Sequence, residues 1–255
     1  MKAEAVSETK RRYGLPDTVR GILVLGMIAY HTLFDIAAVY GWGMDTPLMR
    51  GVNVIRDLGA ACFVFLSGFC FHLGRRNLRK GLLLSAAGAG VTAVTFLFDR
   101  ESFVLFGVLT FLGAAKLLLW ALERPLRYIP SAAGCAVSLA GFLLFFRCNF
   151  GYAGYYGAVW FRWPAALYRN YITAFFGFPF NGFSSADYFS LLPWFFLSCC
   201  GWFFWRAMQG REAFPRLLRK RVSFLARVGQ YSLWIYLIHQ PVIYFAVLAT
   251  KTVFL

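Results

Sequence analysis

Apolar residues run through this chain in seven long stretches, and the charges collect in the short segments between them. The stretches cover about 19–41, 54–73, 81–98, 102–122, 131–147, 188–208 and 230–252. Each is within reach of the ~17–25 residues that a helix needs to cross a bilayer, so the pattern predicts seven membrane helices. Residues 148–187 break the pattern, with only three formal charges and a heavy load of Tyr, Trp and Phe. Trp160, Trp163, Pro164, Pro179 and the glycines argue against one clean span there and predict short interfacial or re-entrant helices. No period of 20–50 residues repeats and no linker divides the chain. The expected architecture is an all-α integral membrane protein, a polytopic helical bundle of about seven transmembrane helices in a single domain over 1–255. Residues 1–18 are polar and lack the apolar core of a signal peptide, so the first span is expected to act as its own insertion signal.

Composition agrees with a lipid solvent. The chain is 60% hydrophobic and 20% aromatic, with a mean hydropathy of +0.60. Only 15% is charged, against the ~25% of a soluble domain. The formal charge of +15 sits in segments between apolar runs, which is the distribution of a topology signal and excludes nucleic acid as the natural partner. With a cytoplasmic N-terminus, inner segments hold 18 basic residues and outer segments seven. This asymmetry predicts a multi-pass protein of the cell (inner) membrane, with residues 1–18 cytoplasmic and the C-terminus extracytoplasmic. The six cysteines mostly fall in apolar runs without ligand spacing, so neither a disulfide nor a metal site is expected.

Candidate chemistry begins in the first span. Eleven residues at ~100° each bring His31 back to within about 20° of Arg20, and Asp35 follows one turn later on the same stripe. Ionisable groups inside a membrane are expensive and mark functional sites. A neutral imidazole with a carboxylate one turn away suits a general base. His239, with Gln240 and Pro241, lies at similar depth in the last span and reads either as a packing histidine or as part of a binding site. Asp187, beside Tyr188 and near Trp194, reads either as an N-cap or as a carbohydrate contact, since aromatic faces cover sugar rings and a carboxylate fixes hydroxyls. Arg75, Arg76, Arg79 and Lys80 form a cluster that reads either as a topology determinant or as a holder of phosphates, for which Arg forks are well shaped. Ser67-Gly68 and Phe106–Leu109 place small residues where helices approach closely.

These positions together resemble a known family. Arg20-x10-His31 within RGILVLGMIAYH, FVFLSG at 63–68, FGVL at 106–109, DYFSLLPW at 187–194 and YSLWIYLIHQPV at 231–242 look like the bacterial heparan-alpha-glucosaminide N-acetyltransferase catalytic-domain family. The resemblance runs from about Val19 to Val242. It implies a membrane enzyme that moves an acyl group, most simply acetyl, from cytosolic acyl-coenzyme A to an amine or hydroxyl of a carbohydrate or glycan on the far side. In that frame His31, Asp35 and His239 are catalytic candidates. Arg20, Arg75, Arg76 and Lys116 are candidates for the acetyl-CoA phosphates, and Asp187, Tyr188, Trp194 and Gln240 for the acceptor. A homo-oligomer is compatible with the chain. Two departures stand out: Thr110 occupies a place held by His in many relatives, and Met44–Ile55 lacks the loop histidine of the lysosomal relatives. A covalent acetyl-histidine route therefore does not carry over. The residues also leave open a proton-coupled transporter or flippase-like protein that uses the midplane histidines.

Overall fold

The computed structural model describes residues 13–41, 46–98, 100, 102–155 and 158–254. Residues 1–12, most of the expected cytoplasmic segment, and residues 42–45 lie outside that set. In chain order the elements are α1 (Gly14–Val39), α2 (Pro47–Phe69), α3 (Asn77–Phe98), α4 (Val108–Leu126), α5 (Ser131–Phe145), a hairpin of β1 (Tyr152–Tyr155) and β2 (Ala158–Arg162), α6 (Tyr171–Phe176), α7 (Leu191–Met208), α8 (Ala213–Arg219), α9 (Ser223–Gln230) and α10 (Ser232–Phe254). Every predicted apolar stretch falls on one long helix. Five of these helices are long and apolar enough to cross a membrane, namely α1, α2, α3, α5 with the turn after it, and α10. The five among the described residues do not by themselves confirm the count of seven. α4 carries Lys116, Glu123 and Arg124, and α7 is short and dilutes its apolar run with Trp, Ser and Pro. Leu97 on α3 and Ile55 on α2 each expose about 70% of their surface, an exposure suited to lipid rather than water. The chain is a multi-pass membrane protein.

Two expectations need correction. The second helix begins at Pro47, not near residue 54, because Arg50, Gly51 and Asn53 interrupt the apolar run without interrupting the helix. Arg56 therefore lies well inside α2 instead of in an outer segment. Residues 148–187 hold the short helix α6 and two 3₁₀ turns, but also the antiparallel hairpin β1–β2, paired from Tyr152↔Arg162 to Tyr155↔Ala158. Val159, Trp160 and Phe161 are good strand formers. Gly154, at φ +151°, takes up the register irregularity beside it, where a Cβ would stand 1.9 Å from the Ala158 carbonyl oxygen.

The contacts divide the chain into two compact units. The first joins the residues up to Phe63 to those from Gln209 onward, and contains α1, most of α2, α8, α9 and α10. Pro16 and Asp17 in the first turn of α1 suit a helix start, by fixed φ and by charge. α1 packs against α8, α9 and α10. The α1–α9 crossing brings backbones together: a Cβ on Gly21 would meet the Leu225 carbonyl oxygen at 2.0 Å, and one on Gly229 the Asp17 carbonyl oxygen at 1.9 Å. Thr18 accepts from the Val222 N–H at 3.2 Å, and buried Asp17 accepts from the Gln230 amide at 3.3 Å. Farther along, His31 meets His239, Asp35 meets Gln240, and Tyr40 meets Thr250. Residue numbers rise together on both helices, so α1 and α10 run parallel.

The second unit runs from Val64 to Met208. α3 and α4 interlock through small residues, Gly88 against Thr110 and Gly113 against Ser85. Thr110 is thus a packing residue. Gly68 touches the Ser198 backbone and Gly201 the Phe65 carbonyl, so the FVFLSG element serves close packing against α7. Trp202, fully buried, centres the core with Phe71, Leu119, Cys199 and Phe203.

Candidate functional site

The strongest constellation lies in the first unit, about two-thirds of the way along α1 and one-third of the way along α10. The rings of His31 and His239 stand edge to face with centroids 5.0 Å apart. Helical periodicity places His31 on the α10-facing stripe of α1, and parallel packing brings His239 opposite it. His31 is half-exposed, whereas His239 is buried. The Nδ1 of His239 lies 2.7 Å from the Tyr236 carbonyl oxygen. A carbonyl only accepts, so Nδ1 carries the hydrogen and, in the neutral ring, Nε2 holds the lone pair.

Asp35 is buried, and both of its oxygens accept from the Gln240 amide, at 3.2 and 3.1 Å. Its partner is therefore the residue beside His239, not His31 one turn away. Among the described residues no hydrogen bond joins Asp35 to His31. The carboxylate locks α10 against α1 and thereby sets the height of one imidazole against the other. Pro241 follows at once within α10, where its missing N–H leaves the Leu237 carbonyl without a helical partner.

A polar group from α2 borders the pair. The Tyr30 hydroxyl donates to Asn53 at 3.1 Å and accepts from Arg56 at 2.9 Å, with the guanidinium also 5.3 Å from the Tyr30 ring centroid. The Tyr30 and His31 rings are T-shaped, with centroids 5.3 Å apart. Arg56 is itself paired with Asp57. Sequence reasoning passed over Arg56, though an Arg-Asp pair inside an apolar helix was a usable signal.

Arg20 sits at the other end of the α1 stripe. Its guanidinium donates to Asp17 at 3.0 Å, so its charge is held in a fixed place beside the α1–α9 crossing. Asp17 was also overlooked, because a carboxylate in a first helical turn reads as ordinary dipole compensation.

The other candidates belong to the second unit. Arg75 and Arg76 are exposed in the turn between α2 and α3, and the Lys116 ammonium lies 5.6 Å from the Phe71 ring centroid. Asp187 accepts the Val108 N–H at 3.1 Å, and so caps α4, whose own N-cap, Gly107, has no side chain to offer. Ser185 accepts from the Leu105 N–H, the Ala186 N–H donates to the Phe103 carbonyl, and that of Phe189 to the Phe106 carbonyl. The 106–109 and 187–194 motifs thus form one strap. It holds Phe106 at φ +57°, a conformation rare for a bulky residue. The Tyr188 hydroxyl donates to the Ala174 carbonyl, and Trp194 packs on Phe142, Phe146 and Phe189. Nearby, the Tyr168 hydroxyl donates to the Cys148 carbonyl at 2.5 Å, and burial pushes this phenol up to about 12. No group of three or more His, Cys, Asp or Glu among the described residues is placed to hold a metal ion.

The profile of one family, described as "Heparan-alpha-glucosaminide N-acetyltransferase, catalytic", matches residues 12–241. No curated protein and no solved structure matches the chain.

Proposed function

Since the chain belongs to the heparan-alpha-glucosaminide N-acetyltransferase catalytic family, whose members are membrane acetyltransferases, we propose that it transfers acetyl from acetyl-coenzyme A to an amine or hydroxyl of a carbohydrate. The donor binds from the cytoplasmic side and the acceptor from the extracytoplasmic side of the cell membrane. The observation that carries this reading is the facing pair His31 and His239, well inside two parallel apolar helices. The parallel run of α1 and α10 supports an N-terminus and a C-terminus on opposite faces, and the excess of basic residues in the inner segments supports the N-terminus as the cytoplasmic one.

In this mechanism Arg20, fixed by Asp17, meets donor phosphates at the cytoplasmic end of α1. The eleven residues from Arg20 to His31 rise roughly 16 Å at ~1.5 Å each, a gap that the thin pantetheine arm spans. His31, the more open of the two imidazoles, takes the proton from the acceptor nitrogen or oxygen as that atom attacks the thioester carbonyl. The carbon–sulfur bond breaks, and the departing thiolate recovers the proton from the imidazolium. His239, held by the Tyr236 carbonyl, keeps the His31 ring in place from the other side. Gln240 and Asp35 keep α10 in register. Holding donor and acceptor together at this point supplies the rest of the rate by proximity.

Incubation of the purified protein with radiolabelled acetyl-coenzyme A and a panel of amino sugars and envelope glycans tests the reading. Label is expected on at least one carbohydrate, with saturable thermal stabilisation by coenzyme A. Absence of both, together with proton-coupled solute uptake in vesicles, would place the histidines in a transport pathway instead.

A further inference from the structure

The link from α7 to α10 is strongly basic. Residues 209–230 carry Arg211, Arg216, Arg219, Lys220, Arg221 and Arg227 against a single acid, Glu212. All six cations are exposed, and among the described residues none has an ion-pair partner. A run whose only task was topology would need no apolar surface, yet this one displays it. α8 buries Phe214 and Leu218 one turn apart and leaves Leu217 exposed beside Arg216. α9 buries Ala226 and Gly229 at the α1 crossing, while Phe224, 69% exposed, projects from the opposite side with Arg227 beside it. Val222, at the head of α9, is exposed as well.

The placement of this surface is informative. α9 crosses α1 at Gly21, near the N-terminal end of α1, and leads straight into α10. Two apolar helices therefore set out from the same foot, which stands at the level where they enter the lipid. Exposed apolar side chains interleaved with unpaired cations at that level are the signature of a helix lying in the headgroup layer.

We propose that α8 and α9 form a membrane-surface foot that binds anionic phospholipid headgroups. Leu217, Val222 and Phe224 enter the boundary between headgroups and acyl chains, and the cations meet lipid phosphates. The occupant follows from charge complementarity, since the segment carries six cations against one acid. Each basic side chain near an anionic surface contributes about five-fold to such binding. The foot is also fastened to the candidate site, through Thr18 to Val222 and Asp17 to Gln230 on the helix that carries His31. This inference does not depend on the acetyltransferase reading.

The test uses the full chain in neutral detergent, with native mass spectrometry counting retained phosphatidylglycerol and phosphatidylcholine. Wild type is expected to retain the anionic lipid at least ten-fold better, with the preference weakening at high salt. Replacing Arg216, Arg219, Lys220 and Arg227 together by Gln should abolish the preference. Phe224→Gln should weaken retention several-fold while leaving the melting temperature in neutral detergent unchanged, which separates lost binding from lost folding. Equal retention of the two lipids by wild type, an undiminished preference in the four-fold variant, or displacement of the lipid by millimolar inorganic phosphate or by RNA would each overturn the proposal.

Discussion

His31 and His239 are 208 positions apart in the chain, yet their ring centroids are 5.0 Å apart. What holds them there is the pairing one turn farther along α1, where both oxygens of buried Asp35 accept from the Gln240 amide nitrogen. The candidate site is therefore assembled from the first and last long helices, and its geometry depends on their register.

Breaking that register is the first prediction. Gln240→Leu leaves the buried Asp35 carboxylate without its donor, at a cost of about 1–3 kcal/mol. Thermal unfolding in detergent should show a clear drop in melting temperature, and acetyl transfer should fall with it. Asp35→Asn keeps an oxygen for the Gln240 amide, so its melting temperature should stay much closer to wild type.

The α1–α9 crossing makes a second prediction with its own control. Gly21→Ala or Gly229→Ala forces a methyl into a backbone carbonyl about 2 Å away, and overpacking of this kind costs about 1–3 kcal/mol. Gly26, on the same helix, has open space around its would-be Cβ. Melting temperatures should fall for the first two variants and hold for Gly26→Ala. Equal effects at all three positions would mean that helix propensity, not close approach, decides the outcome.

The helices were legible in the sequence because an apolar run of about 20 residues has one stable form in lipid, with its backbone hydrogen bonds closed within the segment. Their ends were less so, as α2 shows: Arg50, Gly51 and Asn53 disguise seven residues of helix as a loop. The hairpin at 152–162 was missed because aromatic residues suit an interfacial helix and a strand equally well, and only pairing decides between them. His31, His239, Asp35 and Gln240 were each legible as polar residues in apolar surroundings, but local spacing paired Asp35 with His31. The true partner lay on the last helix, which no short-range rule reaches. Asp187 shows the same limit, since it caps α4 across 79 positions of sequence rather than its own helix.

Asp187 carries a third prediction. Asp187→Ala removes the cap from Val108, and loss of an N-cap costs about 0.5–2 kcal/mol, whereas Asp187→Asn retains an acceptor and should restore most of it. Melting temperatures of the three proteins check this. A loss of acetyl transfer with unchanged stability in the Ala variant would instead argue for a role toward the acceptor.

Tyr168 sets an alkaline dependence. Its phenol is held up to about 12 against an ordinary 10, so its contribution is fully present below pH 10 and is lost as pH rises towards 12. Wild type should therefore lose stability between pH 10 and 12 more steeply than Tyr168→Phe. Parallel curves would contradict the burial of this hydroxyl against the Cys148 carbonyl.

The most direct measurement compares His31→Ala with wild type in acetyl transfer to an accepted carbohydrate, alongside thermal stabilisation by coenzyme A. A positioned general base contributes about 10²- to 10⁴-fold. The variant should lose turnover by that factor while coenzyme A still stabilises it. Full turnover in His31→Ala would contradict the account, and His239 would then be the base.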